Sequence, residues 1–218
     1  MRKFFILFIS TLFVTSCISS KKTSIVSRSE ILETEKKNKK PYKQLLVQWK
    51  NYSYADFHKV NNLEKEAESI RMVEVDEEIY KKFKKQALKI FKENGLYDEI
   101  NGTGTIKILL ITYGRWNYSE LFSTFLVDTG YVLILPSSIN VAYRMIVKSE
   151  QDGIEYKLEK KSSVKTTFHF LLFPLYPFAS FSGAEKSVLK NMLYETIIDL
   201  VKMQENQILE KNNNKTTP

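Results

Sequence analysis

Apolar residues recur at three- and four-residue spacing in two stretches of this chain and at two-residue spacing in others. Ile79, Phe83, Ala87 and Ile90 fall three or four apart and share one stripe of a predicted helix. Asp76 supplies its N-cap, Glu77 and Glu78 place carboxylates in the electropositive first turn, and Gly95 stands where the helix should stop. Its other face carries Lys81, Lys82, Lys84, Lys85, Lys89 and Lys92, with Glu77–Lys81 and Glu78–Lys82 at the favourable i,i+4 spacing. Such a face is ordinarily just solvated; a surface turned to a membrane or a polyanion is the other reading. A second, longer helix begins at the capping box Ser182-Gly183-Ala184-Glu185. Val188, Leu189, Met192, Leu193, Ile197, Leu200 and Val201 form its apolar side, and Lys186, Lys190, Glu195, Asp199 and Lys202 occupy the other.

Leu45-Leu46-Val47-Gln48-Trp49 reads as a first strand, and the stretch 51–75 shows no clear period. Thr105 to Tyr113 is nearly continuous in apolar residues, as a central strand would be. Val141, Tyr143, Met145 and Val147 alternate with Ala142, Arg144, Ile146 and Lys148; Ile154, Tyr156 and Leu158 alternate beyond Asp152-Gly153. A two-residue Asp-Gly turn predicts a hairpin that pairs Val147 with Leu158 and Val141 with Val164, apolar against apolar. The expected fold is α+β, a two-layer sandwich of a mixed or antiparallel sheet with two helices on one face, in the order β-α-β-β-β-α.

Two apolar arms flank the hairpin, at 121–136 and 168–181. Asp128 breaks the first, and Pro174 and Pro177 break the second, so each is too short or too interrupted to be an ordinary span. They fit core strands and buried loops, an exposed surface for lipid or a partner, or a membrane hairpin. Phe122, Phe125, Leu133, Phe170, Phe173 and Phe178 are the candidate contacts with membrane or partner.

The N-terminus changes the picture most. Met1-Arg2-Lys3 precedes eleven mostly apolar residues, Phe4 to Val14, which suit a signal-peptide core and are too short to span a bilayer. Val14-Thr15-Ser16-Cys17 follows, and this resembles the lipobox of bacterial lipoproteins. The resemblance implies cleavage before Cys17, diacylglycerol on its thiol, and anchoring at about 0.8 kcal/mol per buried methylene. Ile18 and Ser19 are not acidic, which by the same likeness implies the outer membrane if the bacterium has one. Loss of Arg2 and Lys3 takes the net charge from +8 to +6. The expected organisation is a signal peptide at 1–16, the lipidated cysteine and a flexible basic tether at 17–41, a domain at 42–210, and a disordered tail at 211–218.

Composition then removes function classes. One cysteine excludes a disulfide framework and a Cys-based zinc site, and two histidines exclude a three-His metal site. Seven glycines leave little room for nucleotide-binding loops, and no cofactor is implied. The pI near 9.3 suits attraction to lipid headgroups in an exported chain, and nucleic acid is not expected as a partner.

Catalytic motifs are sparse. Leu126-Val127-Asp128-Thr129-Gly130 resembles the aspartic-protease loop, which implies a paired carboxylate at Asp128. Tyr131 stands where that family has a small residue, and no apolar-apolar-Gly element follows; a turn is the alternative role. Ser187-Val188-Leu189-Lys190 resembles the Ser-x-x-Lys of penicillin-binding enzymes but lacks their Ser-Asp-Asn and Lys-Thr-Gly partners. His58 and His169 have no serine or cysteine that spacing would pair with them.

Over residues 43–205 the element order is similar to small α+β domains of envelope lipoproteins, such as the curli secretion channel family and the activators of penicillin-binding proteins. The stretch 51–75 and the two arms are departures. The expected function is a membrane-anchored, non-enzymatic adaptor or assembly component, in contact with an envelope partner or with itself. A lipid- or small-ligand-binding lipoprotein is the alternative, and a hydrolase using Asp128 the third.

Overall fold

A strand–helix–strand unit and a hairpin meet in one sheet because both bury their apolar side under the same helices. The computed structural model describes residues 20–22, 26–37, 39–54, 72–116, 123, 137–168 and 181–213. The elements are β1 (Ser20–Lys22), α1 (Arg28–Glu35), β2 (Gln44–Ser53), α2 (Glu77–Glu93), β3 (Thr105–Arg115), β4 (Ser137–Gln151), β5 (Ile154–Phe168) and α3 (Phe181–Asn213). The sheet order is β1-β5-β4-β3-β2. β2 and β3 run parallel and every other neighbouring pair antiparallel, so the sheet is mixed and the fold is α+β.

The hairpin register matches the alternation that predicts it: Val147 pairs with Leu158 and Val141 with Val164. Asp152 (φ 53°) and Gly153 (φ 76°) both take positive φ, as a turn matched to strand twist demands. Pairing continues from Gln151↔Ile154 to Ser137↔Phe168.

The near-continuous apolar run of β3 is explained by unequal burial of its two faces. Ile106, Ile108, Leu110 and Thr112 are fully buried under the helices, while Leu109 and Ile111 are half-buried on the outer face. The inner face joins Phe83, Ala87 and Phe91 of α2 and Val188, Met192 and Leu193 of α3 in one core. Each such side chain contributes roughly 1.5–3 kcal/mol on burial. The predicted stripes of both helices are the buried ones, although Ile79 is only half-buried.

Three expectations need correction. The stretch expected as a flexible tether contains β1, paired with β5 through Ser20↔Lys165, and a third helix, α1. Only Ile31 and Leu32 of α1 are apolar, so no stripe marks it. Its signal was the capping box: the Glu30 N–H donates to Ser27 Oγ at 3.2 Å, and the Ser27 N–H donates to the Glu30 carboxylate at 3.0 Å. Second, α3 starts at Phe181 and not at a Ser182 cap, and it runs to Asn213, three residues into the expected tail. Third, the irregular stretch from 51 holds the end of β2, and the Val73 N–H donates to the Asn51 carbonyl at 2.9 Å.

Candidate functional site

A bulge in β3 aims the most buried ion pair among the described residues. Gly114 has φ 74°, a value that costs other residues strain, and the pairing with β2 slips there from Tyr52↔Tyr113 to Ser53↔Arg115. The extra residue turns Arg115 toward the helical layer. Its Nε and Nη2 donate to the two oxygens of Glu185 on α3 at 2.8 and 3.1 Å, a bidentate pair. Tyr143 Oη of β4 donates to Glu185 Oε1 at 3.1 Å.

Burial opposes the charge on Arg115, but the hydrogen bonds and charge of Glu185 outweigh it and raise the guanidinium's pKa. Burial, then the charge and hydrogen bond of Glu185, push the Tyr143 hydroxyl well above its ordinary value, so it serves as a donor. The Trp49 ring lies 5.8 Å from the guanidinium and meets Phe83 edge-on at 5.2 Å. The Trp49 indole N–H donates to Thr112 Oγ1 at 3.2 Å, and Thr112 donates to Asn51 Oδ1 at 2.6 Å. This network fixes where α3 begins over the sheet. It suits positioning better than proton transfer, because its carboxylate already accepts three hydrogen bonds from two side chains.

Beside it, α2 and α3 enclose a groove of about 610 Å³. Trp49, Phe83, Ile90, Leu189 and Tyr194 supply apolar lining, and Lys82, Lys85, Lys89, Arg115, Lys186 and Lys190 bring six cations against the carboxylates of Glu93 and Glu185. Lys82 is paired with Glu78 at 2.7 Å and Lys89 with Glu93 at 3.7 Å. The Lys190 ammonium lies 5.6 Å from the centre of the Tyr194 ring. Part of the lysine face of α2 is therefore a groove wall, and all six lysines on that face are exposed.

Cys17, Phe122, Phe125, Leu133, Phe170, Phe173, Phe178, Asp128, His58 and His169 lie outside the described residues. Their points of attachment are described, and they converge. β4 begins at Ser137, paired with Phe168 at the end of β5. The segments leading into both arms leave from Trp116 and Phe168, and the Trp116 ring lies 4.8 Å from that of Phe181, where the second arm returns. Ser20 is paired with Lys165 near the same end, and Cys17 is three residues before Ser20, within about 10 Å of it along the chain. The Asp152-Gly153 turn and the start of β2 opposite Thr105 occupy the other end.

Ser187 is half-buried within α3 and Lys190 is exposed. Residues that pattern did not single out, Arg115 and Tyr143 above all, form the buried network. The bulge glycine just before Arg115 was the one signal for it. Among the described residues no group of three or more His, Cys, Asp or Glu is placed to hold a metal ion, and no helix is long and apolar enough to cross a membrane. No protein-family model matches the chain, and neither a curated protein nor a solved structure is significantly similar to it.

Proposed function

We propose that this chain is a non-enzymatic lipoprotein of the cell envelope, held at a membrane by lipid on Cys17 and acting as an adaptor or assembly component. The membrane is the outer one where the bacterium has one. The arms at 121–136 and 168–181 make its contacts with membrane or partner. The observation that carries this reading is the convergence of attachment points: Ser20, Trp116, Ser137, Phe168 and Phe181 gather at one end of the sheet. A lipid on Cys17 would hold that end against a bilayer, where aromatic side chains sit well.

The test is fractionation of the full chain beside Cys17→Ala and, separately, Leu133→Asp with Phe173→Asp. Wild type should sediment with membranes, and Cys17→Ala should not acquire lipid. The two arm variants should keep wild-type circular dichroism and lose association with membrane or partner. Unfolding of the arm variants would assign the arms to the core, and unchanged membrane attachment and mass of Cys17→Ala would remove the anchor.

A further inference from the structure

The groove between α2 and α3 has two walls whose cations are not neutralised alike. Lys82 and Lys89 have acidic partners one turn away on their own helix. Lys85 on α2 and Lys186 on α3 are exposed, and among the described residues no carboxylate lies within ion-pair distance of either. Between the two walls, Trp49, Phe83, Ile90 and Leu189 line the groove. Its lining runs from Ile79 to Glu93 on α2 and from Ser182 to Tyr194 on α3, a length of about 18–21 Å at the helical rise.

We propose that this groove docks an acidic amphipathic helix of a partner protein, its apolar stripe on the half-buried Trp49, Ile79 and Tyr194 and its carboxylates between Lys85 and Lys186. The inference deepens the adaptor reading and rests on it. Three features select this occupant. The exposed rim carries five lysines against the one carboxylate of Glu93, so it is complementary to acidic flanks and repels basic ones. The volume of about 610 Å³ takes a row of apolar side chains at i, i+3, i+4 and i+7 with the helix backbone left outside. The groove is open along its outer side, which would leave a lipid acyl chain half in water, whereas a helix brings its own polar face to close it. The bidentate Arg115–Glu185 pair holds the α3 wall to the sheet, so the docking surface is preformed.

The experiment uses the full lipidated chain in phosphatidylcholine nanodiscs and a fluorescent synthetic helix of about thirteen residues, matched to the groove length. One probe carries a leucine stripe flanked by glutamates; its twin carries lysines in their place. The glutamate probe should bind saturably, and the lysine probe at least about tenfold more weakly, with the difference shrinking at high salt. Lys85→Glu/Lys186→Glu should reverse the preference with an unchanged melting temperature, and Lys85→Gln/Lys186→Gln should weaken the glutamate probe without favouring its twin. Equal binding of the two probes, no binding of either at about 1 mM, or a preference that survives the charge reversal would overturn the proposal. So would binding of phosphatidylglycerol vesicles through these lysines while both helices are ignored. Anchoring is read separately from the Cys17→Ala fractionation, and that variant should bind the glutamate probe as wild type does, so either reading can fail alone.

Discussion

Removing the Glu185 carboxylate strands a guanidinium whose side chain is only 14% exposed, and the 7% exposure of Glu185 gives water little access to replace it. Glu185→Ala should therefore destabilise the fold by about 3–5 kcal/mol in guanidinium unfolding, the cost of an uncompensated buried charge. The double variant Arg115→Met/Glu185→Leu should recover part of that loss, because it removes both charges and keeps the volume but leaves the buried Tyr143 hydroxyl without its acceptor. Tyr143→Phe should cost about 1 kcal/mol, since the carboxylate keeps its bidentate partner. At the surface, Asp98 accepts from the N–H groups of Ile100 and Asn101 and from the Asn101 amide, and these bonds hold its carboxyl below the ordinary aspartate value. A depressed folded-state pKa stabilises the protein above the unfolded value, near 4, and that contribution is lost as pH falls through the depressed value. The stability gap between wild type and Asp98→Ala should be constant around neutrality and narrow below about pH 4, measured by urea unfolding across pH.

The helices and the hairpin were legible because each carries its own period, and β4–β5 pairing follows directly from the Asp-Gly turn and the alternation around it. α1 was not legible in the same way. At eight residues it is too short to stand alone, and it is held from outside: Lys37 pairs with Glu205 at 2.6 Å. Next to it, Gln204 clamps the chain entering β2, accepting the Lys40 N–H at 3.2 Å and donating to the Lys40 carbonyl at 3.0 Å. The same amide donates to Gln151 Oε1 at 3.1 Å, and Gln151 in turn donates to the carbonyls of Pro41 and Thr103. Such a network joins residues more than a hundred positions apart and leaves no periodic trace. Gln204→Leu leaves the Lys40 amide and the Gln151 carbonyl oxygen short of partners, so it should cost about 1–3 kcal/mol. It should also speed trypsin cleavage after Lys39, read by mass spectrometry against wild type. Full protection in the variant would mean that α1 and its flanks are held by something other than this clamp.

As a molecule, the protein has two unlike ends: tight turns close one, and the proposed anchor and arms attach at the other. If lipid occupies Cys17, a single introduced cysteine becomes a unique reporter. A fluorophore on Lys165→Cys, near Ser20, should be quenched by spin-labelled lipid, while one on Glu155→Cys, about 33 Å farther along β5, should not. Equal quenching would mean that the sheet lies flat on the bilayer. Of the candidate site, the lysine face of α2 could be read from spacing, as could the lipobox and the arms as segments. The groove could not, because its far wall and part of its apolar lining come from α3 and β2, about a hundred residues away on one side and some thirty on the other. Nor could the Arg115–Glu185–Tyr143 network, in which Glu185 reads locally as half of a capping box. Local chemistry determines elements, since turn dihedrals, caps and apolar periods act over a few residues. Which charge meets which carboxylate, and which faces come to line one groove, is decided by strand order and the slip at Gly114, and those exist only once the chain has folded.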